Sequence, residues 1–137
     1  MIITGIDPGG TTGLCTVADD EEMEFSWAQM EGLNDVWRYL TIMQPDIIIY
    51  ERFDKTAKYA DTSPIEVIGV IKLYAEQRGI QAIPQGRSVK AFWTDFKMKK
   101  LGGYCIGQPH ATDAARHLLN YIVNTKKHYG LLQVLRA

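Results

Sequence analysis

The amino-terminal stretch Met1-Ile2-Ile3-Thr4-Gly5-Ile6-Asp7-Pro8-Gly9-Gly10-Thr11-Thr12-Gly13 decides the fold. Its apolar half has the length of a buried β-strand, and Pro-Gly-Gly marks the turn that ends it. A second strand-like run follows at residues 14–18. Asp7 is therefore a carboxylate at the end of a buried strand. Because an isolated buried carboxylate is costly, we expect it to cap the turn, pair with a cation or bind a metal.

A second carboxylate follows a second apolar run. Residues 46–51 read Asp-Ile-Ile-Ile-Tyr-Glu, without the polar alternation of a half-exposed strand. This pattern is typical of a parallel strand that is covered on both faces. If this strand pairs with the first, Asp7 and Glu51 meet at one edge of the sheet.

The remaining periodicity predicts an α/β fold with a mixed central sheet of about five strands, the first three antiparallel, flanked by helices. The predicted elements after the first two strands are a strand at 23–28, a helix at 33–43, the strand at 46–51, a helix from Pro64 to near Gly79, a strand at 80–84, a helix at 86–93 and a final helix at 110–122.

Length and composition favour one compact domain over residues 1–137, since 46% of the residues are apolar. The two cysteines, Cys15 and Cys105, have no metal-binding spacing, so we expect reduced residues in or near the core. There is no apolar run of membrane-spanning length and no secretory signal pattern. The sequence therefore predicts a soluble intracellular protein.

The net charge of −1 conceals a gradient along the chain. Residues 1–50 hold one basic and nine acidic residues, whereas residues 85–128 hold eight basic and two acidic ones. A basic carboxyl-terminal half favours a polyanionic partner, although basic helices are also common as solvated surface.

A candidate metal site combines the two strand-end acids with two residues of the last predicted helix. His110 and Asp113 are three positions apart and so face the same way on a helix. With Asp7 and Glu51 they offer the oxygen-rich ligands that Mg²⁺ or Mn²⁺ prefers, and paired ions about 4 Å apart can activate a water for phosphodiester cleavage. His117 lies on the same helical face as Asp113; we interpret it as a surface or structural residue and leave a secondary role open.

Each of these residues also has a purely structural interpretation. Asp7 can organise a turn, Glu51 can pair with Arg52 or Lys55, and an acid near a helix start is favoured by the helix dipole. The glycine-rich loop does not match the P-loop motif, because Thr11 stands where that motif requires lysine, and it does not match the dinucleotide-binding pattern either.

Four short motifs, in this order, resemble the RuvC-like Holliday-junction resolvases of the ribonuclease H-like superfamily, notably the short phage and prophage forms. They are Gly5-Ile6-Asp7-Pro8-Gly9, Ile49-Tyr50-Glu51-Arg52-Phe53, Val89-Lys90 and His110-Ala111-Thr112-Asp113-Ala114. The resemblance implies a ribonuclease H-like fold with catalytic, metal-binding acids at Asp7, Glu51 and Asp113, and His110 where other members carry Asp or His.

The same resemblance implies a Mg²⁺-dependent endonuclease with two ions per site, for which Mn²⁺ substitutes. It would act as a homodimer in the bacterial cytoplasm, phage- or prophage-encoded, each subunit nicking one strand of a four-way DNA junction. The loop after Glu51 would lie near the strand crossover, where Phe53 or Tyr59 stacks on a base. The lysines expected to contact DNA phosphates are Lys55, Lys58, Lys90, Lys97, Lys99 and Lys100.

Three alternatives stay open. The first is a nuclease of the same fold that acts on other branched DNA or on RNA; relatives that process ribosomal RNA precursors carry an Arg after the first-strand glycines, where this chain has Thr11-Thr12. The second is a nucleic-acid-binding domain without catalysis. The third is an ATP-binding fragment of the actin and sugar-kinase type, which is disfavoured because those proteins enclose the nucleotide between two domains.

Overall fold

The computed structural model describes residues 1–20, 23–54, 61–126 and 128–136. Within these ranges the chain forms five strands, β1 (Ile2–Asp7), β2 (Thr12–Ala18), β3 (Phe25–Met30), β4 (Ile47–Glu51) and β5 (Gln81–Gln85). The same ranges hold six helices, α1 (Leu33–Met43), α2 (Ser63–Arg78), α3 (Ser88–Phe92), α4 (Asp95–Leu101), α5 (Pro109–Asn124) and α6 (Tyr129–Arg136). None of the described helices is long and apolar enough to cross a membrane.

The strands form one mixed sheet in the order β3-β2-β1-β4-β5. The first three strands pair antiparallel, and β1, β4 and β5 run parallel to one another. The predicted α/β fold class and the pairing of the first strand with the fourth are therefore confirmed. The sheet places the carboxyl ends of β1 and β4 at the same edge.

The core is divided between the two faces of the sheet. On one face Ile3, Cys15 and Ile49 pack against α5, and on the other Ile6 and Ile48 pack against α1 and α2. This division follows from the two-residue period of a strand, which sends neighbouring side chains to opposite faces. Both cysteines are free; Cys15 is buried and Cys105 half-buried, as predicted.

Two predicted helices have the expected boundaries. Gly32 is the amino-terminal cap of α1. Pro64 lies in the first turn of α2, and Gly79 ends this helix with a φ of 67°, a left-handed conformation that glycine adopts without steric cost. Pro64 and Gly79 are the residues from which the bounds of α2 were predicted.

Two expectations about the later helices are wrong. The helix predicted at 86–93 covers only α3, and the basic residues after it form the separate helix α4, which Thr94 caps by accepting from the Lys97 N–H. The break falls at Trp93, which is fully buried and donates from Nε1 to Asn120 Oδ1 at 3.1 Å. The helix at 110–122 is not the final one either, because α6 follows α5.

Candidate active site

Two carboxylates lie side by side where β1 and β4 end. The strands pair in parallel with Ile6 opposite Tyr50, so Asp7 and Glu51 follow at the same level. Both residues are buried, with only 6% and 9% of their surface exposed. Because burying two like charges is costly, this pair requires compensating positive charge or hydrogen bonds.

Helix α5 brings the other two predicted site residues to the same edge. It crosses β1 and β2 so closely that a Cβ atom on Gly5 would collide with the Ala114 carbonyl, and one on Gly13 with the His110 carbonyl. At the start of the helix, Gln29 Oε1 accepts from the backbone N–H of His110 at 2.9 Å. This bond satisfies one of the free amides in the first helical turn and fixes where α5 begins.

A lysine of α3 lies at the centre of the acidic residues. Lys90 Nζ is 3.0 Å from Glu51 Oε1, 3.5 Å from Asp113 Oδ2 and 3.7 Å from Asp7 Oδ1. The structure therefore brings these three carboxylates, which we call the acidic triad, around one positive charge. The sequence predicts that Lys90 contacts DNA phosphates; in the structure its ammonium group contacts the triad.

The members of this cluster have shifted pKa values for identifiable reasons. Burial raises the pKa of Asp7 to about 6, with Lys90 opposing the rise and the charges of Glu51 and Asp113 adding to it. Burial also acts to raise the pKa of Glu51, but contacts with His117 and Lys90 outweigh it and lower that pKa to about 2. Burial acts to lower the pKa of Lys90, and the three carboxylates outweigh it, so that pKa is raised. The triad thus holds Lys90 in its charged form.

His110 lies at the rim of the cluster. Its Nδ1 is 3.5 Å from Asp7 Oδ2, and 46% of its side chain is exposed. The three carboxylates are the hard oxygen donors that suit Mg²⁺ or Mn²⁺, and the imidazole of His110 adds a borderline nitrogen donor beside them. Within the described ranges no three acidic, histidine or cysteine side chains are already arranged as a metal site, and Lys90 supplies the positive charge. The donor chemistry fits a divalent cation, which would supply part of the positive charge that Lys90 supplies in this structure.

Solved structures that share this architecture include junction resolvases. Thermus thermophilus RuvC in complex with a Holliday junction substrate aligns with 93% of this chain and 96% of its own, at 18% identity and a TM-score of 0.71. The chain has the RuvC fold. The fowlpox virus resolvase, in complex with its substrate Holliday junction DNA, aligns with 89% of this chain and 97% of its own, at 17% identity and a TM-score of 0.61.

The resemblance predicted from the sequence is thus confirmed at the level of the fold. No model of a known protein family matches the chain, and no curated protein sequence matches it. At such low identity the likeness does not transfer an activity, which has to be argued from the site itself.

Within the RuvC fold of this chain, Arg116 holds the third member of the triad. Its Nη1 donates to Asp113 Oδ1 at 2.7 Å, its Nε donates to the Trp93 carbonyl, and its Nη2 pairs with Asp95. Asp113 therefore meets Arg116 through one oxygen and Lys90 through the other. The sequence analysis did not single out Arg116, although its spacing of three residues from Asp113 was a visible signal for such a pair.

His117 is the second residue that the sequence analysis undervalued. It is completely buried rather than on the surface, and its ring lies between Gln85 and Glu51. Its position four residues after Asp113 on one helix face was the available signal. Gln85 gave none, because its proximity depends on the register that pairs it with Glu51 in the sheet.

Apart from Lys90, the predicted DNA-contacting residues fall into three groups. Lys97, Lys99 and Lys100 lie on α4, exposed or half-buried, with Lys97 Nζ 3.6 Å from the centre of the Phe92 ring. Phe53 is half-buried against the core on the α1–α2 side of the sheet. The residues that lie outside the described ranges are Lys55, Lys58 and Tyr59.

Proposed function

We propose that this chain is a metal-dependent endonuclease that cleaves four-way DNA junctions. The observation that carries the proposal is the convergence of the acidic triad around the ammonium group of Lys90, at the edge of a RuvC-fold sheet. A binding domain without catalysis would gain nothing from burying such a cluster, because the burial costs free energy. The neighbours in complex with Holliday junction DNA support a branched substrate.

The residues that would hold Mg²⁺ are the acidic triad and His110. Bound there, metal ions would activate a water and stabilise the leaving oxygen of a phosphodiester. Asp7 and Glu51 are the rigid part of the site, since each ends a buried strand. The exposed His110 ring borders Asp7 Oδ2 and is placed to orient a water or a phosphate oxygen.

A surface beside the triad has the composition of a nucleic-acid contact. Phe92 and Phe96 are 54% and 73% exposed, and Lys97, Lys99 and Lys100 lie on the adjoining helix α4. Exposed aromatic rings stack on unpaired bases, and lysines bind phosphates without sequence preference. DNA that crosses this surface would bring a backbone phosphate to Asp113.

The test is a cleavage assay with a labelled four-way DNA junction, a splayed-arm DNA, a linear duplex and an RNA junction, each in Mg²⁺, in Mn²⁺ and in chelator. We expect paired nicks in the DNA junction that depend on the metal. Asp7→Asn keeps the shape of the side chain and removes its charge. It should lower the cleavage rate about 100-fold or more, because even residues behind the metal ligands typically contribute 10- to 100-fold, and it should leave junction binding intact.

The matched control is Asp35→Asn, which removes a charge from the exposed surface of α1 and should cleave at the wild-type rate. Absence of cleavage of every substrate in both metals would refute the enzyme. Equal cleavage of linear duplex would refute junction selectivity, and faster cleavage of the RNA junction would reassign the substrate. Unchanged cleavage by Asp7→Asn would refute the site.

Paired nicking of a symmetric junction requires two active sites, so we extend the proposal to a homodimer. Light scattering of the free protein and of its junction complex measures the mass directly. Two copies on one junction support the extension, and a single copy that makes both nicks contradicts it.

A further inference from the structure

The interior of the protein behind Glu51 contains a polar arrangement that hydrophobic packing does not explain. His117 is completely buried on α5, and its Nε2 lies 3.5 Å from Glu51 Oε1. Neither of these two atoms has a hydrogen-bond partner of good geometry, and among the described residues only one other buried side-chain atom, Gln108 Oε1, shares that condition. Glu51 Oε1 also forms an ion pair with Lys90 Nζ at 3.0 Å, whereas His117 Nε2 faces this oxygen across a slightly long gap, as in an incomplete hydrogen bond.

The other side of the ring is fixed by β5. His117 Nδ1 lies 2.9 Å from Gln85 Oε1, and Gln85 is the residue paired with Glu51 in the sheet. An amide can present either its oxygen or its nitrogen, since the two ends are interchangeable by a half-turn. With the nitrogen toward Nδ1, the neutral imidazole carries its proton on Nε2, directed at the carboxylate.

We propose that His117 is a positioning residue that donates from Nε2 to Glu51 Oε1 and fixes the orientation of this carboxylate, while Gln85 selects the tautomer. The inference rests on the proposed metal-dependent cleavage and adds a residue to that site. Lys90 approaches the same oxygen at 3.0 Å. Holding one carboxylate oxygen fixes the direction of the other, which is how hydrogen bonds behind a metal ligand raise its affinity.

A burial argument separates this role from plain packing. An unpaired polar atom in the interior costs free energy relative to an apolar one, so a leucine would serve the core better if packing were the only requirement. The cost of burying the Nε2–H group of a histidine here is compensated only if Glu51 Oε1 accepts a hydrogen bond from it.

Two variants of one residue test the proposal. His117→Leu keeps the volume and removes the donor, whereas His117→Gln places an amide nitrogen where Nε2 lies. Mn²⁺ binding to the DNA-free protein, followed by electron paramagnetic resonance, should weaken about tenfold in His117→Leu and recover in His117→Gln. The Mg²⁺ concentration that gives half-maximal junction cleavage should move in parallel. The matched control, His128→Leu, alters a histidine that contacts the Asp20 carbonyl and should change neither value.

The outcomes distinguish this inference from the function on which it rests. Wild-type protein that neither binds Mn²⁺ nor cleaves refutes both. Wild-type protein that does both, together with unchanged Mn²⁺ affinity in a folded His117→Leu protein, refutes the positioning role alone. Equal losses in the Leu and Gln variants also refute it, because packing rather than the donor would then be responsible. Nitrogen NMR of the wild-type ring must show the proton on Nε2, and a proton on Nδ1 alone contradicts the proposal.

Discussion

The ends of β1 and β4 lie next to each other and carry the same kind of group, yet their carboxylates differ in pKa. The pKa of Asp7 is raised to about 6 and that of Glu51 is lowered to about 2. Glu51 contacts Lys90 at 3.0 Å and has His117 behind it, whereas Asp7 is 3.7 Å from Lys90. Both carboxylates are buried, but the Lys90 ammonium group lies closer to Glu51 than to Asp7. It therefore compensates the charge of Glu51 more than that of Asp7.

The two strands also differ in how they meet α5. Gly5 of β1 is paired with Ile49 of β4; at Gly5 the backbone of α5 approaches the strand directly, whereas Ile49 packs against α5 with its side chain. Asp7 is therefore placed by a contact between two backbones, and Glu51 by side-chain packing. Changes to β1 should consequently disturb the site more than equivalent changes to β4.

The largest effect is expected for Gly5→Ala. The added methyl group would collide with the Ala114 carbonyl and with the Leu118 side chain, so α5 must move away from β1. We expect a loss of about 3 to 5 kcal/mol in the free energy of unfolding, the upper range for overpacked sites, measured by denaturant titration. Asp113 would move with the helix, and metal affinity should fall in the protein that remains folded.

The control for this substitution is Gly69→Ala in the middle of α2. Nothing lies within 4 Å of the added carbon, and alanine favours a helix, so this variant should gain about 0.5 to 1 kcal/mol. A Gly5→Ala protein as stable as wild type would show that α5 does not rest on the β1 backbone.

The second prediction concerns pH in the absence of metal. Because the pKa of Asp7 rises from 3.8 unfolded to about 6 folded, the folded state binds the extra proton, and stability falls as the pH increases through that interval. The difference corresponds to about 3 kcal/mol at neutral pH. Glu51 has the opposite sign, since its contribution is lost as the pH falls from 4.5 toward about 2.

Asp7→Asn isolates this effect. Its free energy of unfolding should lack the decline between pH 4 and pH 6 that wild type shows. The exposed Asp35→Asn variant should retain the decline. If wild type and Asp7→Asn follow the same pH curve, Asp7 is not the carboxylate that is short of positive charge.

The positions of the residues in this site could largely be predicted from the sequence. The apolar runs that end in Asp7 and Glu51 identified two buried strands, and the spacing of His110 and Asp113 placed both residues on one helix face. These are local patterns with a fixed period, so a single sequence carries them. The resemblance in four motifs then predicted the fold that the solved structures share.

The electrostatic difference between the two carboxylates could not be predicted in this way. It depends on which side chain of α3 turns inward, on the depth of α5 and on the register between β4 and β5 that brings Gln85 to Glu51. Each of these features depends on contacts between residues that are far apart in the sequence, and such contacts leave no periodic pattern in it. The contact of Lys90 with the triad and the burial of His117 beside Glu51 were consequently not predicted.

The smallest expected effect tests the role of Lys90 as the charge shared between Asp7 and Glu51. Lys90→Met keeps the length of the side chain and removes its charge, which leaves the triad uncompensated. Breaking a buried ion pair typically lowers the free energy of unfolding by about 3 to 5 kcal/mol. Since 31% of the Lys90 side chain is exposed, we expect a smaller loss of about 1 to 2 kcal/mol in the metal-free protein. Mg²⁺ should then stabilise the variant more than it stabilises wild type, because the metal binds to carboxylates that no lysine contacts.

Lys72→Met, on the exposed surface of α2, provides the control for the change in net charge. Melting curves with and without Mg²⁺ give both quantities for the two variants. If Mg²⁺ raises the melting temperature of Lys90→Met no more than that of wild type, then the lysine and the metal do not share the same carboxylates. In that case the different pKa values of Asp7 and Glu51 would not depend on their unequal distances from Lys90, and burial would be the main cause of the raised pKa of Asp7.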